Sequence, residues 1–243
     1  MHLFGLIGQP LTHSFSKRYF TEKFEQLGLT DYRYELFPLA SINELPALLQ
    51  ANPSLQGLNV TIPYKKQVLP FLSASFLPEG LNACNCIRIR DGKTEGYNTD
   101  VIGFEKSLVP LLKPHHTRAI VLGSGGAAEA VLYVLDKLGI DHLTVSRKAS
   151  GNKIINYNYL SNELINSSTL IINTTPLGMF PLEDSLPPIP YKLLTDKHLL
   201  YDLIYNPAKT AFLRLGEEKG ASIKNGEEML IIQAEESWKI WNA

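Results

Sequence analysis

Arg118-Ala-Ile-Val-Leu-Gly-Ser-Gly-Gly-Ala-Ala128 decides the fold of this chain. Arg118 to Leu122 is an apolar run of strand length, and Ala127 to Leu138 reads as a helix closed by Gly139. Between them Gly123 to Ala128 fits G-x-G-x-x-A, the turn that joins the first strand and helix of a dinucleotide-binding unit. Gly123 makes the tight turn, Gly125 lets backbone approach a pyrophosphate, and Ala128 allows close helix packing. With Ser124, Gly126 and Ala127 they put the amides of a helix N-terminus where an anion can sit. A tight turn with no ligand is the alternative. A P-loop is excluded because no Gly-Lys-Ser/Thr follows.

Downstream the pattern repeats. Strands are expected at His142 to Ser146, Thr169 to Asn173 and His198 to Leu203, interrupted by a proline-rich loop over 176–190. The second strand ends at Ser146-Arg147-Lys148, with Arg147 24 residues past Gly123. An NAD enzyme places an acid near there for the ribose hydroxyls. Here the position is basic, which suits the 2′-phosphate of NADP(H), although two solvated cations after a strand would look the same.

The first half alternates too. Strands at Leu3 to Ile7, Tyr32 to Leu36 and Gly57 to Ile62 flank helices at Ser16 to Leu27, with Phe20, Phe24 and Leu27 on one face, and near Asn43 to Gln50. Cys84 to Arg90 turns at Asp91-Gly92, a hairpin signal. A connecting helix follows Asp100, and an amphipathic helix over about 227–241 ends the chain. The fold class is α/β: an N-terminal α/β domain (1–99), a doubly wound nucleotide-binding domain (100–226) with a cleft between them, and a C-terminal helix (227–243) packing back on the first.

Two segments of the first half carry candidate chemistry. In Gly57-Leu-Asn-Val-Thr-Ile-Pro-Tyr-Lys-Lys66, Asn59 and Thr61 share a face of the strand and Pro63 opens what reads as a helix, with Lys65 in its first turn. A cation there opposes the helix dipole, which favours the neutral amine. Alone, Lys65 reads first as a surface lysine in a loop. In Gly8-Gln-Pro-Leu-Thr-His-Ser-Phe-Ser16, Ser14 and Ser16 could hold a hydroxylated or carboxylated molecule or cap a helix. His13 reads as structural rather than as an acid or base. Cys84 and Cys86, two apart on a strand, cannot form an unstrained disulfide and read as reduced core or cleft residues.

Composition narrows the classes. The 243 residues are 44% hydrophobic and 19% charged, and 23 Lys plus Arg against 24 Asp plus Glu give a net charge of -1. No global basic field exists to attract nucleic acid or anionic lipid. No apolar run nears the roughly 18 residues of a membrane span, and the N-terminus lacks a signal-peptide pattern, so the expected location is cytoplasmic.

These segments together resemble the shikimate dehydrogenase family. The resemblance runs, in order, through the Gly8 to Ser16 loop, Asn59-Val-Thr-Ile-Pro-Tyr-Lys65, Asn98-Thr-Asp-Val-Ile-Gly-Phe104, the glycine loop, Asn173-Thr-Thr-Pro-Leu-Gly-Met179, Asp202-Leu-Ile-Tyr-Asn-Pro207, and Gly226 followed by Gln233. It implies NADPH-dependent reduction of 3-dehydroshikimate to shikimate on the route to chorismate and the aromatic amino acids. Lys65 and Asp100 would be the catalytic pair, and Asp100 would raise the lysine's proton affinity against the dipole. Ser14, Ser16, Asn59, Thr61, Asn85, Tyr205 and Gln233 would bind substrate, and Leu203 and Gly226 would join the cofactor site. No metal is implied, and the choice between monomer and homodimer stays open. The chain departs from the family at Lys17, where a proline usually stands, and in Asn82-Ala-Cys-Asn-Cys86 against Gly-Ala-Val-Asn-Thr. It is also somewhat short. The rivals are an NAD-preferring quinate or shikimate dehydrogenase and a non-catalytic ligand sensor.

Overall fold

The computed structural model describes residues 1–11, 14–148 and 153–243. The chain forms two compact units, residues 1–102 with 232–243, and residues 103–231.

The first unit contains β1 (His2–Gly8), α1 (Phe15–Gln26), β2 (Tyr32–Pro38), α2 (Leu45–Ala51), β3 (Leu55–Val60), β4 (Ala74–Ser75), β5 (Cys86–Arg90) and β6 (Lys93–Tyr97), and α3 (Asp100–Leu108) begins in it. Its sheet has the order β2-β1-β3-β5-β6-β4. β1 pairs parallel with β2 and β3, while β5 runs antiparallel to β3 and β6, so this sheet is mixed. Asp91 and Gly92 close the β5–β6 hairpin at positive φ, 51° and 72°, the backbone a two-residue primed turn requires. β1 shows the period-2 rule at work: Leu3 and Ile7 enter one apolar cluster, Phe4 and Leu6 the other. Both faces being covered, the strand reads as one unbroken hydrophobic run.

The second of these clusters is aromatic. Phe4, Phe20, Phe24 and Tyr34 pack with Trp241 from the end of α7 (Glu227–Trp241), and Trp241 Nε1 donates to the Ile87 carbonyl at 3.0 Å. A Cβ on Gly57 would come within 2.4 Å of the Trp241 ring, so that glycine makes room for the indole. Phe20 and Phe24 of α1 face the core as expected, whereas Leu27 is the helix C-cap and 55% exposed. The helix has ended there, and its face no longer continues.

The second unit carries β7 (Arg118–Leu122), α4 (Gly126–Lys137), β8 (Asp141–Val145), β9 (Ile154–Ile155), α5 (Asn162–Ser167), β10 (Leu170–Asn173), β11 (Leu199–Asp202), α6 (Ala211–Glu217) and β12 (Ser222–Lys224). The sheet order is β12-β11-β10-β7-β8-β9, with every pair parallel. Counted within the unit this is 6-5-4-1-2-3, the doubly wound order, whose direction of winding reverses between β7 and β10. Buried Ile120, Leu122, Val145, Ile171 and Leu200 supply one apolar layer, which packs with Ile165 of α5 and Phe212 of α6. The sequence pattern does not announce β9, α5, α6 and β12. They are short, and β12 keeps no buried side chain and no strong alternation.

Candidate active site

The segment after β3 is not a helix. Thr61 N still donates to Ile7 O at 3.0 Å, prolonging the β1–β3 pairing, and residues 62–68 then form successive turns before a 3₁₀ turn at Leu69–Phe71. Pro63 and Pro70 bracket this stretch. The second has no N–H to reach the carbonyl four residues back, so an α-helix begun at Pro63 has no room to propagate. The dipole argument for Lys65 falls with it. What places Lys65 is tertiary: Cys84 N donates to its carbonyl at 2.8 Å, and Tyr64 and Val68 on either side are core residues.

Lys65 Nζ lies 2.7 Å from Asp100 Oδ2, with the two side chains only 15% and 4% exposed. Asp100 opens α3, and Asn98 fixes that entry: its Oδ1 accepts from Val101 N at 3.0 Å and its Nδ2 donates to Ala83 O at 2.6 Å. A pair this dry interacts strongly, and removing either partner strands a charge. The buried Cys84 thiol beside it is pushed up to about 11 by desolvation and stays neutral. Both cysteines are free and buried, as expected, but Cys84 precedes β5 rather than lying on it.

A hydrogen-bonded wall adjoins the pair. Asn85 Nδ2 donates to Gln233 Oε1 at 3.1 Å and to Thr99 Oγ1 at 3.0 Å, while its Oδ1 accepts from Thr99 N at 2.6 Å. Asn59 Oδ1 accepts from the buried Tyr34 hydroxyl at 2.8 Å, and its Nδ2 donates to Ser237 Oγ at 2.9 Å and Asn85 O at 3.3 Å. Both amide hydrogens of Asn59 and of Asn85 are thus committed inside the protein, which makes these residues the frame of the wall. Gln233 meets this wall through Oε1, and Nε2 is the donor end of its amide. Tyr34 also meets Ser16, and burial holds its hydroxyl protonated far above the ordinary range. Tyr34, Thr99 and Ser237 are members of the wall that sequence reasoning does not single out. Thr99 stands inside a quoted motif, and Ser237 follows Gln233 by four, a spacing that puts both on one helix face.

Ser14 is the N-cap of α1, its Oγ accepting from Lys17 N at 3.2 Å. Capping engages one lone pair and leaves the hydroxyl hydrogen for another acceptor. Thr12 and His13 lie outside the described residues. Lys17 does not direct its charge at these serines. Its ammonium bonds the Tyr34 carbonyl and Glu35 Oε2 of β2, an outer strand of the sheet. Tyr205 belongs to the second unit, half-buried in the loop after β11.

The second unit gathers the candidate cofactor residues at the C-terminal ends of its strands, beside the reversal point where open α/β sheets bind ligands. Gly123 has φ +105°, and a Cβ there would meet Thr174 Oγ1 at 2.6 Å. Gly125, the N-cap of α4, has φ −84° and ψ −175°, a conformation open to any residue, and no atom of the described residues lies within 4 Å of an added Cβ. The fold therefore does not require glycine at 125. Gly125 has no side chain to cap the first amides of α4. Ser124 Oγ and Ser146 Oγ are 3.1 Å apart, and Arg147 and Lys148 are exposed, with Asn156 Nδ2 donating to Arg147 O at 2.8 Å. A Cβ on Gly226 would lie 2.1 Å from Leu203 O, so these two backbones touch. The anchor below is Asp202, fully buried, which accepts from Thr210 Oγ1 (2.6 Å), Asn173 Nδ2 (3.0 Å) and Ile204 N (3.1 Å).

Comparison with known proteins shows the family. Residues 6–87 match the family model for the shikimate dehydrogenase substrate binding domain. The shikimate dehydrogenase (NADP(+)) of Methanosphaera stadtmanae is 32% identical over 255 residues, covering 98% of this chain and 90% of that protein. Among solved structures, shikimate 5-dehydrogenase from Thermus thermophilus in complex with NADP(H) and shikimate superposes with a TM-score of 0.86 at 28% identity, over 99% of this chain and 93% of the other. Quinate dehydrogenase from Corynebacterium glutamicum in complex with NAD gives 0.86 at 27% identity, over 99% and 93%. The chain belongs to the shikimate dehydrogenase family.

Proposed function

We propose that this protein catalyses the reversible NADPH-dependent reduction of 3-dehydroshikimate to shikimate, in the cytoplasm, as a step of aromatic amino-acid biosynthesis. The observation that carries the reading is the nearly dry Lys65–Asp100 pair at 2.7 Å beside a preorganised polar wall. Reduction of a ketone leaves a negative oxygen that needs a proton. Lys65 supplies it from its ammonium, and in the reverse direction takes it from the substrate hydroxyl. Asp100 holds the ammonium in place and balances its charge. Ser14, Ser16, Thr61, Gln233 and Tyr205 bind the hydroxyls and carboxylate of the substrate, with Asn59 and Asn85 as their support.

NADP(H), held by the 123–128 loop, Ser146, Arg147, Lys148, Leu203 and Gly226, exchanges the hydride. The residues fit that group: Gly125 leaves space without a structural need for it, and the edge beyond β8 is basic where an acid would select NAD. In this reading residues 1–99 are the substrate domain, 100–226 the dinucleotide domain, and the C-terminal helix serves the former.

The test is absorbance at the reduced nicotinamide band with shikimate or quinate, each with NADP+ or NAD+. Shikimate with NADP+ is expected to give the highest kcat/KM. A preference for quinate with NAD+ would support the second reading, which the likeness to quinate dehydrogenase keeps in play. Absence of turnover with either acid would leave the ligand sensor.

A further inference from the structure

Ser237 lies one helical turn beyond Gln233 on α7 and has no exposed surface. A buried helical serine commonly spends its hydroxyl on the carbonyl four residues back, and Ser237 does so, donating to Gln233 O at 2.9 Å. Its oxygen then does two things that its own helix does not ask for. It accepts from Asn59 Nδ2 at 2.9 Å, and it stands 3.3 Å from Thr99 Oγ1. One hydroxyl so joins three segments distant in sequence: the end of β3, the residue before Asp100, and the stretch of α7 that carries Gln233.

Every group it touches leads to the wall or to the pair. Thr99 bonds both ends of the Asn85 amide and directly precedes Asp100. Asn59 bonds the Asn85 carbonyl and the Tyr34 hydroxyl. The Cys86 thiol also faces Ser237, at the position where the resemblance leads one to expect a threonine.

We propose that Ser237 is a positioning residue for the reaction: by holding Asn59 and Thr99 against α7 it fixes the spacing of Asn85, Gln233 and Asp100 around the substrate. This rests on the functional reading above. The experiment is steady-state kinetics of the full-length chain with shikimate and NADP+. Ser237→Ala removes the acceptor of a buried amide hydrogen and is expected to raise KM for shikimate about tenfold, leaving KM for NADP+ unchanged. Ser237→Cys, nearly the same size with a weak acceptor, moves in the same direction and serves if the alanine variant does not fold. Because the effect runs through Asn59, Asn59→Ala combined with Ser237→Ala is expected to cost less than the two effects summed. An unchanged KM for shikimate, an equal rise in both KM values, or strict additivity with Asn59→Ala overturns the proposal. A parent protein that turns over neither acid removes the functional reading and this one together; a working parent with an indifferent Ser237→Ala removes only the role of Ser237.

Discussion

Lys65 is the residue hardest to value from its own surroundings, because a lysine after a proline is ordinarily a surface charge. Its meaning comes from Asp100, 35 positions away, and from Cys84, whose amide pins its backbone. Lys65→Ala is expected to lower kcat by about 10²- to 10⁴-fold, the usual share of a positioned proton donor, while NADPH binding followed by fluorescence titration stays intact. Near-normal turnover would take Lys65 out of the mechanism. Gly125 answers a complementary question in the other unit. Since its backbone tolerates a side chain and no described residue crowds it, Gly125→Ala is expected to lower the melting temperature by no more than the few degrees of a poorer N-cap while raising KM for NADPH roughly tenfold or more, as a methyl occupies the approach to the helix N-terminus. Equal KM values would mean that no ligand comes close there.

At the scale of elements, the strand ends of the second unit depend on Asp202. Desolvation, partly offset by its three donors, raises its pKa from 3.8 to about 6. Because the folded value is above the unfolded one, the native state binds the extra proton: the contribution is full below about 3.8 and is lost as pH rises through about 6. The displacement corresponds to about 3 kcal/mol at most. Asp202→Asn, measured by melting temperature against pH, is expected to flatten the profile between about 4 and 6; an unchanged slope there would assign the effect to another group. Elements like β7, α4 and α7 are legible in the sequence because each carries a clear apolar pattern over its length, and Gly139 marks where α4 stops. The Pro63 to Pro70 segment is not, because its first proline passes for a helix start while the second, seven residues on, denies the helix its length. Short β9 and β12 owe their existence to neighbours in the sheet. The wall around Asn85 is half legible: motifs name several of its residues, but the partnership of Asn59 with Ser237, 178 positions apart, is a product of tertiary packing with no local signal.

Across the whole molecule, each unit has its own sheet and apolar layers, and the last residues of the chain complete the first of them. Trp241 is therefore a core residue of a unit whose strands lie over a hundred positions earlier. Trp241→Ala, which deletes a stacked indole and its bond to Ile87 O, is expected to cost about 3–5 kcal/mol and, through α7, to raise KM for shikimate more than KM for NADP+. Chemical denaturation with parallel kinetics reads both; an equal loss on the two substrates would make the helix a global prop instead. Lys17 has a consequence of a different kind. An outer strand such as β2 is a template on which a second chain can add itself, and a lysine whose head rests on that strand's own carbonyl and on Glu35 guards it with charge. The residue that breaks the family's pattern next to Ser14 and Ser16 thus bears on colloidal behaviour: a lysine that occupies an edge carbonyl takes away a bond that an added strand would need.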